Sequence, residues 1–94
     1  LQLDNTGVKT NARGFVQVDA TFRSTTAHIF AAGDIVGFPA LASTAMEQAR
    51  VAMCHAFELK YKMQMGAVLP YGVWTVPEIA TVGMMSRTWA ERNN

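Results

Sequence analysis

The chain has 94 residues, half of them hydrophobic and 16% charged, which excludes a disordered charged tail and a collagen-like repeat. Eight Lys and Arg stand against seven Asp and Glu, and a formal charge of +1 gives no electrostatic case for nucleic acid or a membrane surface. A single Cys excludes an internal disulfide framework, and the separated His28 and His55 form no ligand cluster, so no metal site is expected. The apolar runs are too short to span a bilayer, and Leu1-Gln2-Leu3-Asp4 lacks the basic and long apolar regions of a signal peptide. The expectation is a soluble, cytoplasmic protein. A first residue other than Met, a polar final stretch from Ser86 to Asn94 and six Met suggest a piece of a larger fold.

In chain order, Thr10-Asn11-Ala12-Arg13-Gly14 is a turn signal. Phe15-Val16-Gln17-Val18-Asp19 alternates apolar and polar side chains and predicts a strand. Ala20 to Ala27 is a polar loop. His28-Ile29-Phe30-Ala31-Ala32 is a short continuous apolar run, the pattern of a strand buried on both faces. Gly33-Asp34 ends it, and a loop through Pro39 follows. Leu41 to about Lys60 contains neither Gly nor Pro and is rich in Ala, Met, Glu, Gln and Leu, which predicts a long helix. Ala42, Ala45, Ala49, Ala52 and Ala56 recur at spacings of three and four, predicting a small-residue packing face. Leu69-Pro70-Tyr71-Gly72 predicts a turn. Val73–Val76 and Ile79–Val82 predict two strands, with Pro77 at an edge or bend. The change from helix to aromatic-rich strands near residue 70 marks a domain boundary, dividing the chain into 1–69 and 70–94.

The chemically informative unit is strand, Gly33-Asp34, loop, helix. Ligands of open α/β sheets bind beyond the carboxyl ends of strands. There an Asp accepts hydrogen bonds from sugar-like hydroxyls, and the following helix start presents unpaired N–H groups and a partial positive charge. Capping or shaping a turn is the alternative role for Asp34. The glycines stand at 7, 14, 33, 37, 66, 72 and 83, so no G-x-G-x-x-G phosphate cradle is present. Ser43 and His55 are about 18 Å apart along one helix, too far for a nucleophile–base pair, and no catalytic residue is assigned. Cys54, mid-helix and without a cysteine partner, reads as a small buried side chain rather than a redox centre.

Thr21-Phe22-Arg23-Ser24-Thr25 followed by His28-Ile29-Phe30-Ala31-Ala32-Gly33-Asp34 resembles the second FAD-binding motif of the flavoprotein pyridine nucleotide–disulfide oxidoreductases. Thr75-Val76-Pro77-Glu78-Ile79-Ala80-Thr81-Val82-Gly83 resembles the entry into that family's dimerisation domain. Within it, Gly37 to Gln48 is most similar to the soluble pyridine nucleotide transhydrogenase branch; dihydrolipoamide dehydrogenases often have His where Ser43 stands. The resemblance implies an α/β fold: part of a Rossmann-like FAD-binding domain up to residue 69, then the first strands of an α+β dimerisation domain. It implies FAD as cofactor, NAD(P)H as substrate, a homodimeric parent and hydride transfer between NADPH and NAD+. It also implies a cofactor-binding set: Gly33 for close backbone approach, Asp34 for a ribityl hydroxyl, and Ala40, Leu41 and Ala42 at the flavin pyrimidine edge. A dihydrolipoamide dehydrogenase-type segment and a non-catalytic remnant are the alternatives. The run Met84 to Asn94 departs from the family pattern, and the first dinucleotide motifs are missing, so the chain alone is expected to be inactive.

Overall fold

The computed structural model describes residues 2–37, 39–66 and 68–83; the departing run 84–94 lies outside them. In order come a 3-10 turn at Leu3–Asn5, a second at Asp34–Val36, the helix α1 at Ala42–Ala56, and the strands β1 at Pro70–Val73 and β2 at Ile79–Val82. The Cα radius of gyration is 15.7 Å, against about 12 Å for a compact domain of this length.

The N-terminal third is looped and cross-tied. Asn11 Oδ1 accepts from the N–H groups of Arg13 and Phe15 at 2.9 and 3.1 Å, closing the expected turn with Gly14 at φ 84°. Asp19 Oδ1 accepts from the Thr21 hydroxyl at 2.6 Å and from the Thr21 and Arg23 N–H groups. The Thr21 hydroxyl foremost holds the Asp19 carboxyl below its ordinary range. Val8 and Val16 are buried beneath these turns.

Neither expected strand in this region forms a ladder. Phe15–Asp19 makes only single bridges, Thr10 with Val16 and Val18 with Ser24, while His28–Ala32 makes one, Phe30 with Arg23. His28 is exposed and Ile29 to Ala32 are half-buried, not covered on both faces. A continuous apolar run says that a segment can be buried, but a ladder needs a regular partner alongside. Here the pairing among the described residues is limited to Ser24 N–H on Ile29 C=O and Ala31 N–H on Phe22 C=O, and Phe22 at φ 64° takes the neighbour out of the extended conformation that a longer ladder needs.

α1 ends four residues before the expected Lys60. Glu58 at φ 56° takes the left-handed C′ position, and Leu59 N–H closes back on Cys54 C=O at 2.7 Å while Phe57 N–H bonds Met53 C=O. This is a Schellman-type stop with Glu in the place where Gly is usual. The buried face also differs from the expected Ala stripe. It consists of Thr44, Gln48, Val51, Ala52 and Cys54, whereas Ala42, Ala49 and Ala56 are exposed. Met46 and Met53 are each 53% exposed and Phe57 is 65% exposed, so an apolar side of α1 is uncovered.

Beyond α1 the chain folds back along it. His55 Nε2–H donates to Met63 C=O at 2.8 Å, and Lys62 Nζ pairs with Glu47 Oε2 at 2.7 Å. Arg50 pairs with the other Glu47 oxygen. Lys62 first and Arg50 second hold the Glu47 carboxyl below its ordinary range, so the pairing is complete at neutral pH and is lost only as pH falls through that lowered value. The first hairpin strand begins at Pro70, inside the segment expected to turn, because a proline is tolerated as the opening residue of a strand. β1 and β2 pair antiparallel, Pro70 with Val82 through Val73 with Ile79. Pro77 lies in the bend between them, as expected.

Candidate functional site

Gly33 stands at φ 88°, ψ −156°, a region essentially reserved for glycine. Its N–H donates to Gln48 Oε1 at 2.7 Å, and Gln48 is only 6% exposed. A Cβ built on Gly33 would lie 3.5 Å from Ala45 Cβ. The Gly33-Asp34 turn is thus docked on the first two turns of α1. The turn is closed by Val36 N–H to Gly33 C=O at 3.0 Å and Gly37 N–H to Asp34 C=O at 3.1 Å, and Val16 N–H reaches Ile35 C=O at 2.9 Å.

The docking places the sequence-predicted residues side by side. Ala45 is one turn from Ala42, about 4.5 Å along the axis, so the Gly-Asp turn and the helix start share one end of α1. Asp34 is exposed, and no hydrogen bond or ion pair engages its carboxylate among the described residues. Leu41 is the N-cap, with extended backbone and no side-chain cap. The first intrahelical bond runs from Ala45 N–H to Leu41 C=O at 2.9 Å, so the N–H groups of Ala42, Ser43 and Thr44 precede the ladder and carry the positive end of the helix dipole. Ala40 and Ala42 are exposed and Leu41 is half-buried.

Around this end runs a cleft of about 450 Å³, lined by Leu41, Ala42 and Ser43 on the helix side and by β1, Trp74 and residues 78–80 on the hairpin side. Thr44, the next residue of α1, is 1% exposed and lines a second cleft on the other side of the helix start; its buried hydroxyl has no hydrogen-bond partner among the described residues. The end of α1 and the turn docked on it therefore bring together an unengaged acceptor, Asp34, and an uncapped row of donors. That pair fits FAD, whose ribityl chain offers hydroxyl donors and whose pyrimidine edge offers carbonyl acceptors.

Gln48 and Thr44 are the residues that sequence reasoning missed. Their spacing of four is the available signal, because it places two polar side chains on one helix face. Cys54 is free and buried, 7% exposed, in accord with a packing role. His28 lies in an exposed loop, and His55 joins α1 to the returning chain.

The pyridine nucleotide-disulphide oxidoreductase family profile matches residues 1–49. The chain belongs to this family. It is 43% identical over 83 residues to a soluble pyridine nucleotide transhydrogenase of Pseudomonas paraeruginosa, covering 88% of this chain and 18% of that protein. It is 42% identical, with the same coverage, to the soluble pyridine nucleotide transhydrogenase of Mycobacterium bovis. Among solved structures it superposes on the HOCl-induced flavoprotein disulfide reductase RclA from Escherichia coli with a TM-score of 0.84 and 26% identity, covering 97% of this chain and 21% of that one. The chain thus spans about a fifth of the length of the relatives it matches.

Proposed function

We propose that this segment supplies part of the flavin site of an FAD-dependent oxidoreductase that moves hydride between NADPH and NAD+. In this reading residues 1–69 close the FAD-binding region and residues 70–94 open the dimerisation domain of a homodimeric, cytoplasmic parent. The observation that carries it is the Gly33-Asp34 turn docked, through Gln48, beside the uncapped start of α1.

The chemistry FAD supplies when bound is reversible acceptance of a hydride. This chain's residues bind and polarise. With FAD bound, Asp34 would accept a hydrogen bond from a ribityl hydroxyl, and Gly33, without a side chain, would let that chain approach closely. Ala40, Leu41 and Ala42 would hold the pyrimidine edge, where the Leu41 and Ala42 N–H groups and the helix dipole would favour negative charge, so that the backbone would tune the electronics of the cofactor.

A disulfide reductase reading is favoured by the likeness to RclA. It would need its redox cysteines outside this segment, because Cys54 is the only cysteine and is buried in α1. The higher identity to the transhydrogenases favours hydride transfer between nucleotides. The chain alone is proposed to be catalytically silent, since no pyrophosphate cradle or nicotinamide site is among its motifs. The test is a chimera in which this chain replaces the matched 83 residues of the Pseudomonas paraeruginosa transhydrogenase. Transfer of hydride from NADPH to an NAD+ analogue by the chimera, with none by the chain alone, is the expected result. A folded, flavin-loaded chimera that reduces a disulfide substrate but not the NAD+ analogue would contradict it.

A further inference from the structure

The connection between α1 and the hairpin is not merely a loop. It leaves the C-terminal end of α1 at Phe57, and by Met63 its backbone carbonyl is held by His55 at 2.8 Å, while the neighbouring Lys62 reaches Glu47 at 2.7 Å. His55 and Glu47 are eight residues apart, about 12 Å along the helix. One point of the returning chain is thus pinned at two levels of α1. Beyond the pin, Gly66 and Leu69 line the second cleft, of about 450 Å³, with Lys62 and, on the helix, Ser43, Met46 and Arg50. Pro70, the first residue of β1, lines both this cleft and the one at the α1 start.

The geometry points to residues 58–66 acting as a strap, with Glu47 and Lys62 as positioning residues that hold it along α1 and so set how far the hairpin wall stands from the start of the helix. Its bearing on flavin rests on the proposed function; the strap itself does not. Glu47 is suited to the task because its two oxygens are divided: Arg50 holds one from within the helix and Lys62 takes the other from the strap. The carboxylate is oriented by its helical neighbour before the strap arrives, which lowers the ordering cost of the longer-range pair.

The test uses the whole 94-residue chain with Cys54→Ala. Spin labels at Ala49→Cys and Val82→Cys are diluted into unlabelled chain, and the helix-to-hairpin distance is read by pulsed EPR. The unaltered strap should give one narrow distribution. Lys62→Met should broaden it, and Lys62→Arg, which keeps the charge, should leave it narrow. Cleavage after Glu58 by a glutamate-specific protease should rise in parallel by about two- to fivefold in Lys62→Met, the scale set by a half-exposed ion pair, and stay at the unaltered rate in Lys62→Arg. A Lys62→Met chain with the original distribution and cleavage rate, or a Lys62→Arg chain as broad as Lys62→Met, would overturn the assignment. Neither readout involves flavin, so a chain that never meets FAD still tests the strap, and a failed strap leaves the flavin reading standing.

Discussion

Asp34→Ala should weaken flavin retention by ten- to a hundredfold when this segment sits within a whole flavin-binding fold. The carboxylate is exposed and engages no described partner, so its removal breaks no internal contact. What is lost is one charge-assisted hydrogen bond to the ligand, about 1.5–3 kcal/mol, which is about ten- to a hundredfold in affinity. The backbone of the turn is held independently by Gln48 on Gly33 N–H and by the 3-10 bonds that follow, so the apoprotein should melt where the parent chimera melts. Asp34→Asn should retain part of the affinity, because an amide oxygen still accepts. Flavin fluorescence titration of the apo-chimera and its two variants reads the affinities, and thermal denaturation of the same flavin-free proteins reads the melting. Unchanged affinity in Asp34→Ala would make Asp34 a residue of the turn alone.

Gln48→Leu should act in the opposite order, on stability first and flavin second. Gln48 is 6% exposed and its side-chain oxygen takes the Gly33 N–H at 2.7 Å. Leucine nearly keeps the volume and removes the acceptor, leaving a part-buried backbone donor without a partner at a cost of about 1–3 kcal/mol. The turn then loses its tie to α1, and the Asp34 carboxylate loses its fixed place beside the helix start. The expected result is a lower denaturation midpoint without flavin, together with weaker flavin binding. A midpoint equal to that of the unaltered chimera would show that packing of Gly33 against Ala45 suffices to dock the turn.

These two residues show what the sequence disclosed and what it withheld. Asp34 stood out because a Gly-Asp pair closes an apolar run just ahead of a long, breaker-free helical stretch, and each of those signals is local. The helix followed from composition and the second hairpin strand from a strand-like run after Pro77-Glu78, again local signals. Gln48 was missed because its spacing of four from Thr44 marks only a polar face, whereas its role depends on a partner fifteen residues earlier and on which face of α1 turns inward. The Ala spacing suggested one face, and the need to satisfy Gly33 and bury Val51 selected another. Glu58 closing α1 in a left-handed conformation contradicts the usual residue preference. The apolar run 28–32 predicts a covered strand that does not form, because such a run reports the capacity for burial and not the neighbour that completes a ladder. The pairing of Glu47 with Lys62 spans fifteen positions and has no local signature.

The central claim is that this segment furnishes a working part of a flavin site, with the Gly33-Asp34 turn and the start of α1 as its contribution. The most direct measurement is the flavin content of the purified, monodisperse chimera carrying this chain in the Pseudomonas paraeruginosa transhydrogenase, read from the visible absorbance of the native protein and from released flavin after denaturation. Near-stoichiometric FAD in the unaltered chimera, and markedly less in Asp34→Ala at equal folding, is the result the account predicts. A folded chimera purified without flavin, and unable to take it up from excess FAD, would contradict it.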